Sequence, residues 1–119
     1  MSSALIVLGH GSRNPIASEQ FLELVAQLRA RRDDPVYPAF MELAEPSLTQ
    51  AVSAGAERII VQPCFLFDGM HIQRDIPAML AGFKDDHPGV SFYYGRPFGV
   101  DVRLVELMQE RAREATCLS

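Results

Sequence analysis

Two histidines stand where they could do chemistry. His10 lies in Leu8-Gly9-His10-Gly11-Ser12-Arg13, directly after an apolar run, and His71 ends the loop Leu66-Phe67-Asp68-Gly69-Met70-His71, after a second one. Neutral imidazole binds divalent metals and accepts protons. Gly9 and Gly11 strip side chains from both flanks of His10, so a ligand or metal can approach closely. Hydrogen bonding to backbone is the other role open to a histidine in such a turn. His71 falls near a helix start, where the positive dipole end favours the neutral ring. Carboxylates (Glu42, Glu45, Asp68) and guanidinium groups (Arg13, Arg74, Arg96) occupy comparable positions after apolar runs. Glu42 and Glu45 suit a ligand, a base or the start of the following helix. The arginines suit the surface or a carboxylate-rich ligand, which guanidinium pairs with bidentately. Such a set can hold an exchangeable metal and move protons beside an acidic molecule.

These residues need elements to bring them together. Ala4 to Leu8 is wholly apolar, as expected of a strand with both faces covered. Asn14 and Pro15 suit the N-cap and first position of a helix running to about Arg32, with Phe21, Leu24, Val25 and Leu28 as its buried stripe. Val36 to about Met41 reads as an edge strand, because Pro38 interrupts it. A second helix starts at Pro46 or Ser47, turns Leu48, Ala51 and Val52 inward and stops at Gly55. Arg58 to Phe65 is a central strand built on Ile59-Ile60-Val61. A third helix spans about Ile72 to Lys84, with Ile76, Leu80 and Phe83 inward. Val90 to Tyr94 is the last strand. Asp101 caps a fourth helix whose apolar stripe is Leu104, Val105, Met108 and Ala112.

The order β-α-β-α-β-α-β-α predicts an α/β fold: a four-stranded parallel sheet flanked by helices, flavodoxin-like or Rossmann-like in a minimal form. In such sheets ligands bind at the carboxyl ends of the strands, which is where His10, Glu42, Glu45, Asp68, His71 and Arg96 fall. Four strands leave helix surface thinly covered, so a self-associating dimer is expected.

The length, 119 residues, fits one domain, 1–119. The formal net charge of −4 argues against a nucleic-acid surface, which depends on Lys and Arg to neutralise phosphates. No apolar run approaches the ~20 residues that span a membrane. The opening Met1-Ser2-Ser3 carries no basic segment, so no signal peptide is expected and the cytoplasm is the default location. Cys64 and Cys117 form neither a CxxC pair nor a zinc cluster, and Cys64 reads as a small buried hydrophobe. His87, in the Asp85–Gly89 turn, reads as a surface residue. Dinucleotide and P-loop fingerprints are absent, as is a GxSxG elbow.

Taken together, Gly9-His10-Gly11-Ser12-Arg13, Met41-Glu42-Leu43-Ala44-Glu45-Pro46-Ser47, Pro63 to His71 with Arg74-Asp75-Ile76-Pro77, and Gly95-Arg96-Pro97-Phe98-Gly99 resemble the CbiX/SirB sirohydrochlorin chelatases, in order and over nearly the whole chain. The resemblance implies a chelatase-like half-domain that inserts a divalent metal into sirohydrochlorin, with cobalt the first expectation and iron or nickel the others. It implies that His10 and His71 are the metal ligands, with His10 also the proton acceptor. It implies that Glu45 and the loop Leu66, Phe67, Asp68, Gly69, Met70 and His71 contact the tetrapyrrole, and that short members pair as homodimers. Chemically, Glu45 suits orienting the substrate or relaying protons beside His10, and Glu42 is the weaker candidate for that role. No cofactor is expected beyond the metal substrate (Co²⁺, Fe²⁺ or Ni²⁺), and no nucleic-acid or membrane partner. Some short members carry a histidine-rich segment after the third helix; here only His87 stands there.

Two other classes compete. A non-catalytic metal or tetrapyrrole carrier would use the same scaffold. A phosphohistidine enzyme would also place a histidine–glycine pair after the first strand, but that chemistry wants an arginine immediately before the histidine, where this chain has Gly9.

Overall fold

The computed structural model describes residues 2–53, 55–70 and 74–118. Its elements run β1 (Ser3–Gly9), α1 (Pro15–Arg29), β2 (Val36–Phe40), α2 (Leu48–Val52), β3 (Arg58–Pro63), α3 (Ile76–Asp86), β4 (Ser91–Tyr94) and α4 (Val102–Arg113). The four strands form one parallel sheet in the order β2-β1-β3-β4. β1 and β3 are central, as their unbroken apolar runs require. β2 is an edge strand, where Pro38, opposite Val7, is tolerated.

Alternation along the strands sends side chains to two different layers. Ile6, Leu8, Ala39, Ile59 and Val61 face α2 and α3, which supply Leu48, Ala51, Val52, Ile76, Leu80 and Phe83. Leu5, Val7 and Val36 face α1, which supplies Val25 with Phe21 and Leu28. Asn14 caps α1 by accepting from the Ile16 N–H at 3.0 Å, with Pro15 in the first turn. Ser47 and Gln50 close a capping box on α2.

The structure corrects several boundaries and one face. α1 ends at Arg29, short of Arg32. There the Arg29 guanidinium donates twice to the Val36 carbonyl, at 3.1 and 2.8 Å, while Arg32 pairs with Asp34 at 2.7 Å. β3 ends at Pro63 and α3 is counted from Ile76; Ile72 lies outside the described residues. Leu24, expected in the buried stripe of α1, is exposed, because no helix packs beside it. The expected stripe of α4 is left largely uncovered: the helix has no buried residue, Leu104 is only partly buried, and Val105 and Met108 are 54% and 67% exposed. No helix among the described residues is long and apolar enough to cross a membrane.

Candidate active site

The carboxyl ends of β1 and β2 are held together beyond the strands themselves. The Met41 N–H donates to the Gly9 carbonyl at 2.9 Å, and the Glu42 N–H donates to the His10 carbonyl at 3.2 Å. Gly11 has φ +100°, and a β-carbon there would be driven into the Glu42 carbonyl oxygen. Gly9 is constrained differently: its β-carbon would lie 2.9 Å from the Phe21 ring. Only glycine lets the two loops close on one another. The closure sets His10 Nε2 3.5 Å from Glu42 Oε1, with both side chains more than half exposed (53% and 59%). On another side His10 meets the Phe65 ring edge-on, centroids 5.9 Å apart.

That separation suits a shared cation. Two donor atoms each about 2.1 Å from one tetrahedral metal stand roughly 3.4 Å apart. Imidazole nitrogen with a single carboxylate oxygen is a donor set that fits cobalt, nickel or iron and leaves coordination positions open. Among the described residues no group of three or more His, Cys, Asp or Glu side chains converges on one point, so any fuller ligand set needs a further donor.

Beside His10 a small cavity of about 180 Å³ is lined by Gly9, Ser12, Ala17, Phe21, Phe40 and Cys64, among others. It is smaller than the ~300–1,000 Å³ that encloses a drug-sized ligand. A larger molecule therefore has to lie across the rim, which is apolar: Leu43, Leu66, Phe67 and Met70 are exposed there or in the adjoining loops. Leu43 has φ +66°, a conformation costly for a side chain of its kind, at the turn that follows Glu42. The loop after β4 is pinned to the loop after β3, Phe98 N–H to the Phe65 carbonyl at 2.9 Å and Gly99 N–H to the Leu66 carbonyl at 2.6 Å. Burial, then the nearby Asp68 carboxylate, raise the Tyr94 hydroxyl above its ordinary pKa. Burial alone raises the Cys64 thiol, so it stays protonated at neutral pH.

The residues singled out in the sequence fare differently. His10 and Glu42 are brought together. Glu45 is exposed at the entry to α2, and Leu66, Phe67, Asp68, Gly69 and Met70 are all exposed beyond β3. His71 lies outside the described residues. Ser12 is committed locally, its Oγ accepting from the Asn14 N–H at 3.0 Å. Arg74 pairs with its neighbour Asp75 at 3.4 Å. Arg13 and Arg96 are exposed. Two residues carry more than the sequence reading assigned them. Glu42 has no role in the resemblance, yet it is the carboxylate beside His10: continuing the Gly9–Phe40 register puts Met41 opposite His10 and Glu42 opposite Gly11, and the turn there swings the Glu42 side chain to the imidazole. Gln62, which no sequence pattern marks, donates through its amide to the Pro63 and Arg96 carbonyls at 3.1 and 2.7 Å and so fixes the loop after β4. A side chain at Gly95 would collide with it.

The model of one family, CbiX, matches residues 4–115. The chain is 33% identical to the sirohydrochlorin cobaltochelatase of Methanocaldococcus jannaschii, over 92% of this chain and 96% of that protein. It is 34% identical to the chloroplastic sirohydrochlorin ferrochelatase of Arabidopsis thaliana, over 99% of this chain but 54% of that protein. Among solved structures, it superposes on the sirohydrochlorin chelatase SirB of Bacillus subtilis subspecies spizizenii, in complex with cobalt, with a TM-score of 0.88 and 30% identity. That match covers 96% of this chain and 51% of SirB. The chain thus spans nearly all of the archaeal relative and about half of the plant enzyme and of SirB.

Proposed function

The chain belongs to the CbiX family, and from that premise we propose that it is a sirohydrochlorin chelatase, inserting a divalent metal into the macrocycle. Cobalt and iron, the metals of its relatives, are the first substrates to test, and nickel the third. The observation that carries the reading is the exposed His10–Glu42 pair, 3.5 Å apart at the carboxyl edge of the sheet.

The reaction takes M²⁺ and a macrocycle bearing two pyrrole N–H protons, and yields the metal complex and two H⁺. His10 binds the incoming metal through its Nε2 lone pair, with Glu42 as its companion and His71 as the further ligand. When the metal passes to the pyrrole nitrogens, that lone pair is released and can take one of the departing protons. The adjacent Glu42 carboxylate favours the resulting imidazolium. Both residues are solvent-exposed, so the protons have a way out to water. Glu45 helps to orient the substrate or to relay protons. The loop Leu66 to His71 lies against the macrocycle, and Arg13, Arg74 and Arg96 meet its peripheral carboxylates. Residues 1–119 act as one chelatase unit. Because the described shelf is open, a second copy supplies the facing wall.

Anaerobic incubation of the protein with sirohydrochlorin and Co²⁺, Fe²⁺ or Ni²⁺ in turn tests this, followed through the tetrapyrrole absorption spectrum. Metal-dependent acceleration over the protein-free rate, lost in His10→Ala, is the expected result. A folded protein that binds the tetrapyrrole without accelerating any insertion would instead be a carrier.

A further inference from the structure

The pairing of β3 with β4 ends at Val61 and Tyr94, followed by the Gly95 N–H donating to the Val61 carbonyl at 2.9 Å. The chain from Gly95 to Gly99 then has to be held in another way. β3 is apolar from Ile59 to Pro63 except at Gln62. Gln62 is level with Val7 of β1. Its side chain therefore leaves the sheet on the α1 side, where α1 packs on β1 and β2 and leaves the half formed by β3 and β4 bare. There the amide turns along the strand ends, donating to the Arg96 carbonyl at 2.7 Å and to the Pro63 carbonyl at 3.1 Å. One side chain thus ties the roots of the loops after β3 and β4 together.

Gly95 is fitted to that amide. Its φ lies outside the left-handed region, so backbone conformation does not call for glycine there. Space does: a β-carbon would lie 2.9 Å from Gln62 Cδ and overlap Oε1. The crowded atoms are the far end of a flexible side chain, so a larger residue at 95 would displace the amide and leave the sheet intact. Further on, the Phe98 N–H donates to the Phe65 carbonyl at 2.9 Å and the Gly99 N–H to the Leu66 carbonyl at 2.6 Å. Leu66 opens the exposed run that reaches Met70, and Arg96, whose carbonyl the amide holds, is itself exposed. The metal side is built separately. The Met41–Gly9 and Glu42–His10 backbone bonds close His10 and Glu42 on each other, and Phe65, which meets the imidazole, keeps its own packing on the core.

We propose that Gln62 is a positioning residue for the tetrapyrrole. Its amide sets the loop after β4 and, through Phe98 and Gly99, the level of the Leu66–Met70 run against which the macrocycle lies. This role rests on the chelatase reading, and it gives Gln62 no contact with metal, macrocycle or departing proton. Its loss acts on tetrapyrrole binding and leaves metal handling at His10 unchanged.

Kinetics and amide exchange on variants of the whole chain test this. Gln62→Met keeps the length of the side chain and removes the donor. KM for sirohydrochlorin should rise about 10-fold, while kcat and the KM for Co²⁺ stay within about twofold. The freed carbonyls turn to water, so Tm should fall by no more than about 3 °C. Exchange at the Phe98 and Gly99 amides should quicken about 10-fold, with Met41 and Glu42 unaffected. Gly95→Ala should act in the same way by displacing the amide. In a Gln62→Ala background, where that space is free, Gly95→Ala should add nothing. A purely structural role would instead lower Tm and kcat together. Unchanged KM in an active Gln62→Met variant would overturn the proposal, whether or not exchange quickens. Full additivity of Gly95→Ala with Gln62→Ala would overturn the fit of Gly95 to the amide, and with it the amide's hold on the loop. If the wild type accelerates no insertion, the chelatase reading fails, and the Kd for metal-free sirohydrochlorin decides the role of Gln62: about 10-fold weaker binding in Gln62→Met supports it, and equal binding overturns it. A wild type that does not bind sirohydrochlorin would overturn both.

Discussion

The carbonyl oxygen of Glu42 occupies the space that a β-carbon on Gly11 would need. This backbone approach, with the Glu42 N–H donating to the His10 carbonyl at 3.2 Å, is what holds the Glu42 carboxylate beside the imidazole. Gly11→Ala should therefore strain a φ of +100° and push the loops apart. Destabilisation of about 2 kcal/mol or more is expected, a fall in Tm of roughly 8 °C, together with loss of insertion activity at temperatures where the variant is still folded. Thermal melts paired with the spectral assay check both. An unchanged activity would mean that the loop contact does not set the site.

Glu42→Gln separates the site from the fold. The His10–Glu42 pair is exposed on both sides, so its worth to stability is about 0–1 kcal/mol, and Tm should hardly move. Insertion should fall by about 10- to 100-fold, while Glu45→Gln should chiefly raise KM for the tetrapyrrole. If Glu45→Gln is the variant that loses kcat, the two carboxylates have exchanged roles.

Cys64 gives a pH-dependent readout at the edge of the His10 cavity. Burial raises its thiol above the ordinary 9.0. The folded protein therefore binds that proton more tightly than the unfolded chain. Any stability this group contributes is complete below pH 9.0 and is lost as pH rises through the folded value. In a Cys117→Ser background, alkylation of Cys64 by iodoacetamide should be slow at neutral pH, with its midpoint above 9.0. A midpoint below that value would show that the thiol faces a cation or open water instead.

Asp101 is the N-cap of α4. Its carboxylate accepts from the Arg103 N–H at 2.9 Å and pairs with the Arg103 guanidinium, which holds the carboxyl far below the usual range. The cap is thus fully present above the ordinary value of 3.8 and is lost only as pH falls well below it. Asp101→Ala should lower helicity in α4 by circular dichroism or amide exchange, and Asp101→Asn, which caps nearly as well, should keep most of it.

Much of this protein is legible along the chain, because local patterns encode local structure. The apolar runs at Ala4–Leu8 and Ile59–Val61 mark buried strands, Pro38 marks an edge, and Asn14, Ser47 and Asp101 mark helix starts that the structure reproduces with their cap hydrogen bonds. The position of His10 at the carboxyl edge follows from the order of elements alone. What the chain does not state is which distant segments meet. Whether Glu42 or Glu45 reaches His10 depends on the β1–β2 register and on the backbone turn at Gly11, neither of which leaves a periodic trace in the sequence. Leu24 and the stripe of α4 show the same limit from the other side. Amphipathic spacing announces that a face seeks cover, since apolar surface in water is costly. Only the packed sheet, with one half roofed by α1 and the other left bare, decides that the cover does not come from within the chain.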